Sequence, residues 1–103
     1  MVKKKYDLNQ IMSIYIVAIE WSPERIPETT NLEGLFNANF QWVKLTELTY
    51  LIISSNTPVE IRNFITNRIP ALERIFVGEV NYSAAWRNME SDSNNIKQLF
   101  GDE

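Results

Sequence analysis

The sequence predicts an α+β domain with its elements in the order β-α-β-β-α-β. Three observations carry that prediction. Met12–Trp21 is β-branched and almost continuously apolar. Phe40–Leu45 and Thr49–Ser54 are strand-like runs separated only by Thr46, Glu47 and Leu48. Thr57-Pro58-Val59-Glu60 has the side chains of a capped helix start, and Ile61, Phe64, Ile65 and Ile69 follow at helical spacing.

The first strand, Met12–Trp21, has the pattern of a central strand with both faces covered, or with one covered by a helix and the other by a partner. Ser22–Thr29 holds Pro23 and Pro27 and reads as a loop. Thr30 and Glu33 have capping-box spacing, and Leu32, Leu35 and Phe36 recur at helical intervals, which predicts a short helix over 30–38. Gly34 weakens it by up to ~1 kcal/mol relative to Ala.

Phe40–Leu45 and Thr49–Ser54 then form a hairpin, without the Asn-Gly signal of the tightest turns. In the second helix Thr57 serves as N-cap and Glu60 closes the box. Pro58 sits at the first helical position, where its missing N–H costs nothing. Arg62, Asn63, Thr66 and Asn67 face away from the apolar stripe, and Pro70 is expected to end the helix at Ile69. Glu73–Asn81 is the fourth strand, with Ile75, Phe76, Val77 and Val80 as its apolar members. Ala84, Ala85 and Trp86 follow, then a polar stretch. Ser93 is expected to cap a last short helix whose apolar face is Ile96, Leu99 and Phe100.

Residues 1–103 thus read as one domain, with a polar, frayed N-terminus over 1–11 and a C-terminal extension over 87–103. The order is that of the split βαβ, ferredoxin-like arrangement: a four-stranded antiparallel sheet with both helices on one face, placed there by right-handed crossovers. The other face is expected to stay open and, being apolar at alternate positions, to be covered by dimerisation.

Composition narrows the chemistry. The chain has 103 residues, is 45% hydrophobic, and contains no cysteine and no histidine. Disulfides, thiolate or histidine metal sites, cysteine nucleophiles and histidine-based triads are therefore excluded. Any catalysis would use carboxylates, Lys, Arg, Tyr or Ser, and no cofactor is expected.

The net charge of −3 runs against the basic field of a nucleic-acid-wrapping domain. The positive run Lys3, Lys4 and Lys5 reads as a solvated terminus rather than a phosphate-binding arm. No apolar run reaches the ~18 residues of a membrane span, and the N-terminus lacks the pattern of a signal peptide. A cytoplasmic protein of prokaryotic or phage origin is expected, with no membrane partner.

Several segments together carry a family resemblance. They are Tyr15–Trp21, the aromatic strand with Trp42 leading through a short turn to Thr49-Tyr50-Leu51-Ile52, the helix entry Thr57–Arg62, the strand Arg74–Val80, and Ala85-Trp86. Across residues 13–86 the chain resembles the small ferredoxin-like proteins related to the second CRISPR-associated protein, the dimeric partner of the adaptation integrase. It is nearest to their stand-alone, SinR-like relatives. The resemblance rests on spacing and residue type rather than on one diagnostic motif.

It implies a homodimer built by strand pairing and sheet-face packing, with Tyr15, Val17, Trp42, Tyr50, Phe76 and Trp86 as candidate interface residues. Some members of that family are metal-dependent nucleases with an Asp at the end of the first strand. Glu20 best matches that position, one methylene longer, and would be the catalytic and Mg²⁺-binding candidate.

Each of these sharp readings has a plainer counterpart. Glu20 reads more readily as an ordinary polar residue where the strand leaves the core, and that reading is favoured. Trp21, Trp42 and Trp86 suit a base-stacking platform, but the basic-Gly-aromatic-Gly signature of RNA-recognition motifs is missing, so core or interface packing is favoured. Arg62, Arg68, Arg74 and Arg87 suit an anion site, yet Glu73 and Glu79 flank the fourth strand and oppose phosphate. The functional expectation is a non-enzymatic, homodimeric interaction protein of a prokaryotic or mobile-element system concerned with defence, anti-defence or toxin–antitoxin pairing. The alternative is a Mg²⁺-dependent endonuclease or nucleic-acid-binding dimer.

Overall fold

In the computed structural model the residues described are 12–80, 89–90 and 93–99. The expected frayed N-terminus over 1–11, and Trp86, Arg87 and Phe100, lie outside them. The elements are β1 (Ser13–Trp21), α1 (Thr29–Asn39), β2 (Gln41–Thr46), β3 (Thr49–Ser54), α2 (Pro58–Thr66), β4 (Leu72–Val80) and α3 (Ser93–Leu99). The strands form one sheet in the order β2-β3-β1-β4, with every neighbouring pair antiparallel. This is the ferredoxin-like α+β arrangement.

The two faces of the sheet are covered differently. Tyr15, Val17 and Ile19 of β1, with Tyr50 and Ile52 of β3, point to one face and pack against Leu32 and Phe36 of α1 and Ile61 and Ile65 of α2. Those side chains build the main core. An aromatic group closes its α1 end: the Phe36 ring sits 5.0 Å from Tyr50, 5.8 Å from Trp42 and 6.0 Å from Phe40 between centroids. On the opposite face Val43 of β2 and Leu51 of β3 are buried against Ile96 and Leu99 of α3. The chain therefore covers part of its second face itself. The expectation of a wholly open face is corrected, because α3 presents two apolar residues three apart, one helical turn, to β2 and β3.

The helix starts show how far local signals reach. At α2 the predicted capping box forms: Thr57 Oγ1 accepts the Glu60 N–H at 3.1 Å, and Glu60 Oε1 accepts the Thr57 N–H at 2.9 Å. At α1 the expected box between Thr30 and Glu33 does not form, and the helix starts at Thr29 after a Glu28 N-cap without a side-chain cap bond. Tertiary partners take the Glu33 carboxylate instead. Glu33 Oε2 accepts from the Tyr50 hydroxyl at 2.8 Å and pairs with Lys44 Nζ at 3.0 Å. Glu28 Oε2 accepts the Ala71 N–H at 3.0 Å, tying the start of α1 to the entry of β4.

The helix α2 ends at Thr66, one turn before Pro70, but Ile69 stays in the core at 2% exposure. The β2–β3 connection is a two-residue loop, Glu47-Leu48, with the register shifting between Lys44 and Thr46. Leu45 is the extra residue there, and a bulge of this kind replaces a sharper turn signal.

Candidate functional site on the β1–β4 half of the sheet

Alternation along β1 fixes which groups face where. The Ile19 N–H donates to the Leu48 carbonyl at 2.9 Å, and Val17 and Tyr15 stand opposite Tyr50 and Ile52. The odd-numbered residues of β1 thus direct their backbone groups to β3, and the even-numbered ones direct theirs to β4. Ile16 pairs with Gly78 and Ala18 with Phe76, so Phe76 and Gly78 turn their N–H and C=O groups inward. Ile75, Val77 and Glu79 consequently turn theirs outward, along the outer edge of the sheet. β4 is an edge strand of nine residues, longer than the six-residue edge strand β2.

The side chains of this edge are mixed: Glu73, Arg74 and Glu79 are exposed charges on either side of an exposed aromatic. Phe76 is 63% exposed at the middle of β4. Ile26, Leu48 and Val59 are also exposed, but each stands in a loop or at a helix start, where single apolar residues are ordinary. Phe76 instead shares its face with Ala18 opposite and with Gly78 two residues on. A Cβ on Gly78 would lie 2.7 Å from Phe76 Cε2 and 2.9 Å from Cζ, so the ring reaches across the glycine. The polar limit of the patch is an ion pair: Arg74 Nη1 lies 2.5 Å from Glu20 Oε1 across the β1–β4 ladder, both side chains largely exposed.

The residues predicted from sequence separate clearly. Tyr15, Val17 and Tyr50, expected as interface residues, are 5%, 0% and 0% exposed and belong to the core beneath α1 and α2. The correction follows from the register: all three are on the helix-covered face. Trp42 is half-buried against the same core, and its Nε1–H donates to Asn37 Oδ1 at 2.8 Å. Of the six, Phe76 alone is both described and exposed, and Trp86 lies outside the described residues.

Glu20 does sit at the end of β1, but the Arg74 guanidinium already occupies one of its oxygens. Among the described residues no three His, Cys, Asp or Glu side chains gather in a way that could hold a metal ion. Gly78 and Ala18 were not singled out from sequence. The available signal was the alternation Arg74, Phe76, Gly78, Val80, whose face depends on register.

A second polar cluster is structural. Burial first, and then the bond to Glu33, push the Tyr50 hydroxyl well above its ordinary titration range. The bond to Glu33 raises Lys44 despite partial desolvation. Among the described residues no buried side-chain nitrogen or oxygen lacks a hydrogen-bond partner. No helix is long and apolar enough to cross a membrane, among the described residues.

Fold and site together define a small ferredoxin-like α+β domain whose edge strand β4 exposes an aromatic ring between charged residues. No protein-family model, curated protein or solved structure matched the chain.

Proposed function

We propose that this chain is a non-enzymatic interaction protein that works as a homodimer, and that two copies meet along β4. The carrying observation is Phe76, 63% exposed at the centre of a nine-residue edge strand. A long edge with an exposed aromatic at its middle is a template for strand pairing, and its exposed charges, Glu73, Arg74 and Glu79, then restrict the register in which two copies can pair. Edge pairing would satisfy the outward groups of Ile75, Val77 and Glu79 and extend the sheet to eight strands.

Charge selects among the symmetric registers. A pairing centred on Phe76 sets Glu73 opposite Glu79 of the second copy, a like-charge pair that is destabilising. A pairing centred on Ile75 avoids this and sets Arg74 opposite Phe76 of the second copy, a cation–π contact of about 0.5–1 kcal/mol at an exposed site. The prokaryotic or mobile-element setting rests on the resemblance of residues 13–86 to the CRISPR-adaptation-related family. The endonuclease reading draws less support, because Glu20 is paired with Arg74 and the net charge is −3.

Sedimentation equilibrium of the purified chain tests the proposal. A dimer at micromolar concentration is expected, and Phe76→Ser should return it to a monomer with an unchanged circular dichroism spectrum. A wild-type monomer at that concentration would overturn it. Mg²⁺-dependent cleavage of single-stranded RNA or DNA that Glu20→Ala abolishes would establish the endonuclease reading instead.

A further inference from the structure

The C-terminal end of α1 and the first turns of α2 border a cleft of about 270 Å³, lined by Asn39, Phe40, Asn56, Glu60, Ile61 and Phe64. A smaller cleft of about 70 Å³ adjoins it and shares Asn39, Phe40 and Asn56. The larger volume falls just below the ~300–1,000 Å³ of ordinary small-molecule sites, which suits a single side chain or a short amine.

Its formal charge among the described lining residues is negative, set beside the partial positive charge of the α2 N-terminus. Among the described lining residues Glu60 alone is ionisable. Its Oε1 accepts from the Thr57 N–H at 2.9 Å and from Asn56 Nδ2 at 3.4 Å, and the Thr57 side chain also bonds the carboxylate; a carboxylate offers about four lone-pair sites, so acceptor capacity remains. Those same bonds, the Thr57 backbone bond first, hold its carboxyl below the ordinary range, so it is charged at neutral pH. Asn39 Nδ2 donates to the Leu35 carbonyl at 2.9 Å, which leaves its Oδ1 as an acceptor. The eleven-residue helix α1 ends here with no basic residue in its last turn, so the partial negative charge of its terminal carbonyls has no cation on its own helix to offset it.

Beneath these acceptors lie Phe40 and Phe64, edge-to-face with centroids 6.0 Å apart, and Ile61. Arg68 stacks on the Phe64 ring at 4.0 Å but does not line the cleft.

We propose that this cleft binds a primary ammonium group carried on a short aliphatic stem. The stem packs chiefly on the half-buried Phe64 ring, and the ammonium donates to the Glu60 carboxylate and Asn39 Oδ1. A lysine side chain of a peptide and a free alkyl diamine share this chemistry. The cleft has no residue in common with the β4 edge, so its test is independent of dimerisation.

The experiment is an amide ¹H–¹⁵N titration of the full chain with Nα-acetyl-lysine methylamide, with 1,4-diaminobutane, and with Nα-acetyl-norleucine methylamide as the uncharged control. Saturable shifts at Asn39, Asn56, Glu60 and Phe64 are expected with one or both amines and not with the norleucine compound. Binding of the lysine derivative alone assigns a peptide source, and binding of the diamine alone assigns a free amine. Glu60→Gln keeps a side chain able to close the capping box and should weaken binding about tenfold, the loss of a charge-assisted bond. Three results would overturn the proposal: equal shifts with norleucine, an unchanged affinity in Glu60→Gln, or no shifts at these residues with either amine.

Discussion

The Phe76 ring lies across Gly78 on one face of β4, so close that a Cβ at Gly78 would meet Cε2 at 2.7 Å. What would have to move is the tip of an exposed side chain rather than backbone. Gly78→Ala should therefore swing the ring aside at little cost to folding. Removing a glycine also restricts the unfolded chain, which stabilises by about 0.4–1 kcal/mol where the backbone is compatible. Urea unfolding should thus give a stability within about 1 kcal/mol of wild type. Sedimentation should at the same time show weaker self-association, because the ring has left the position proposed for pairing.

The capping box at α2 gives a second expectation. Thr57→Ala removes the acceptor of the Glu60 N–H bond and should cost about 1 kcal/mol in denaturant unfolding, within the usual range for N-cap loss. An unchanged midpoint would mean that solvent replaces the cap fully.

Glu60 adds a pH dependence of definite sign. Its folded carboxyl titrates below the ordinary value of 4.5, chiefly through the Thr57 backbone bond. Its contribution is present above the unfolded value and fades as pH falls through the folded one. Thermal scans between neutral pH and pH 3 should show a smaller acid-induced loss in Glu60→Gln than in wild type.

Tyr50 should behave in the opposite direction. Its hydroxyl is held neutral above the ordinary value of 10.0, first by burial and then by Glu33. The associated stability is complete below the unfolded value and is lost as pH rises through the folded one. In ultraviolet titration Tyr50 should ionise only with alkaline unfolding. Tyr50→Phe leaves Glu33 with Lys44 alone and should cost about 1–2 kcal/mol.

Phe36 is fully buried and makes ring contacts with Phe40, Trp42 and Tyr50. Phe36→Ala should lower stability by about 3–5 kcal/mol in urea unfolding. A smaller loss would show that the aromatic group collapses into the space.

The element order and the apolar face of α2 were legible in the amino-acid sequence alone. Local rules suffice for these: a continuous β-branched run at Ser13–Trp21, a capped amphipathic helix from Pro58, and alternation that marks strands. It determined the exclusion of histidine and cysteine chemistry in the same direct way.

Tertiary structure decided everything that depends on which face a residue takes. A shift of one residue in register exchanges the faces, and no local signal carries it. Tyr15, Val17 and Tyr50 therefore became core, while Phe76 and Gly78 reached the open half of the sheet. Long-range partners decided the rest: Tyr50 and Lys44 drew Glu33 out of its expected capping box, Arg74 met Glu20 across 54 residues of chain, and α3 returned to cover Val43 and Leu51.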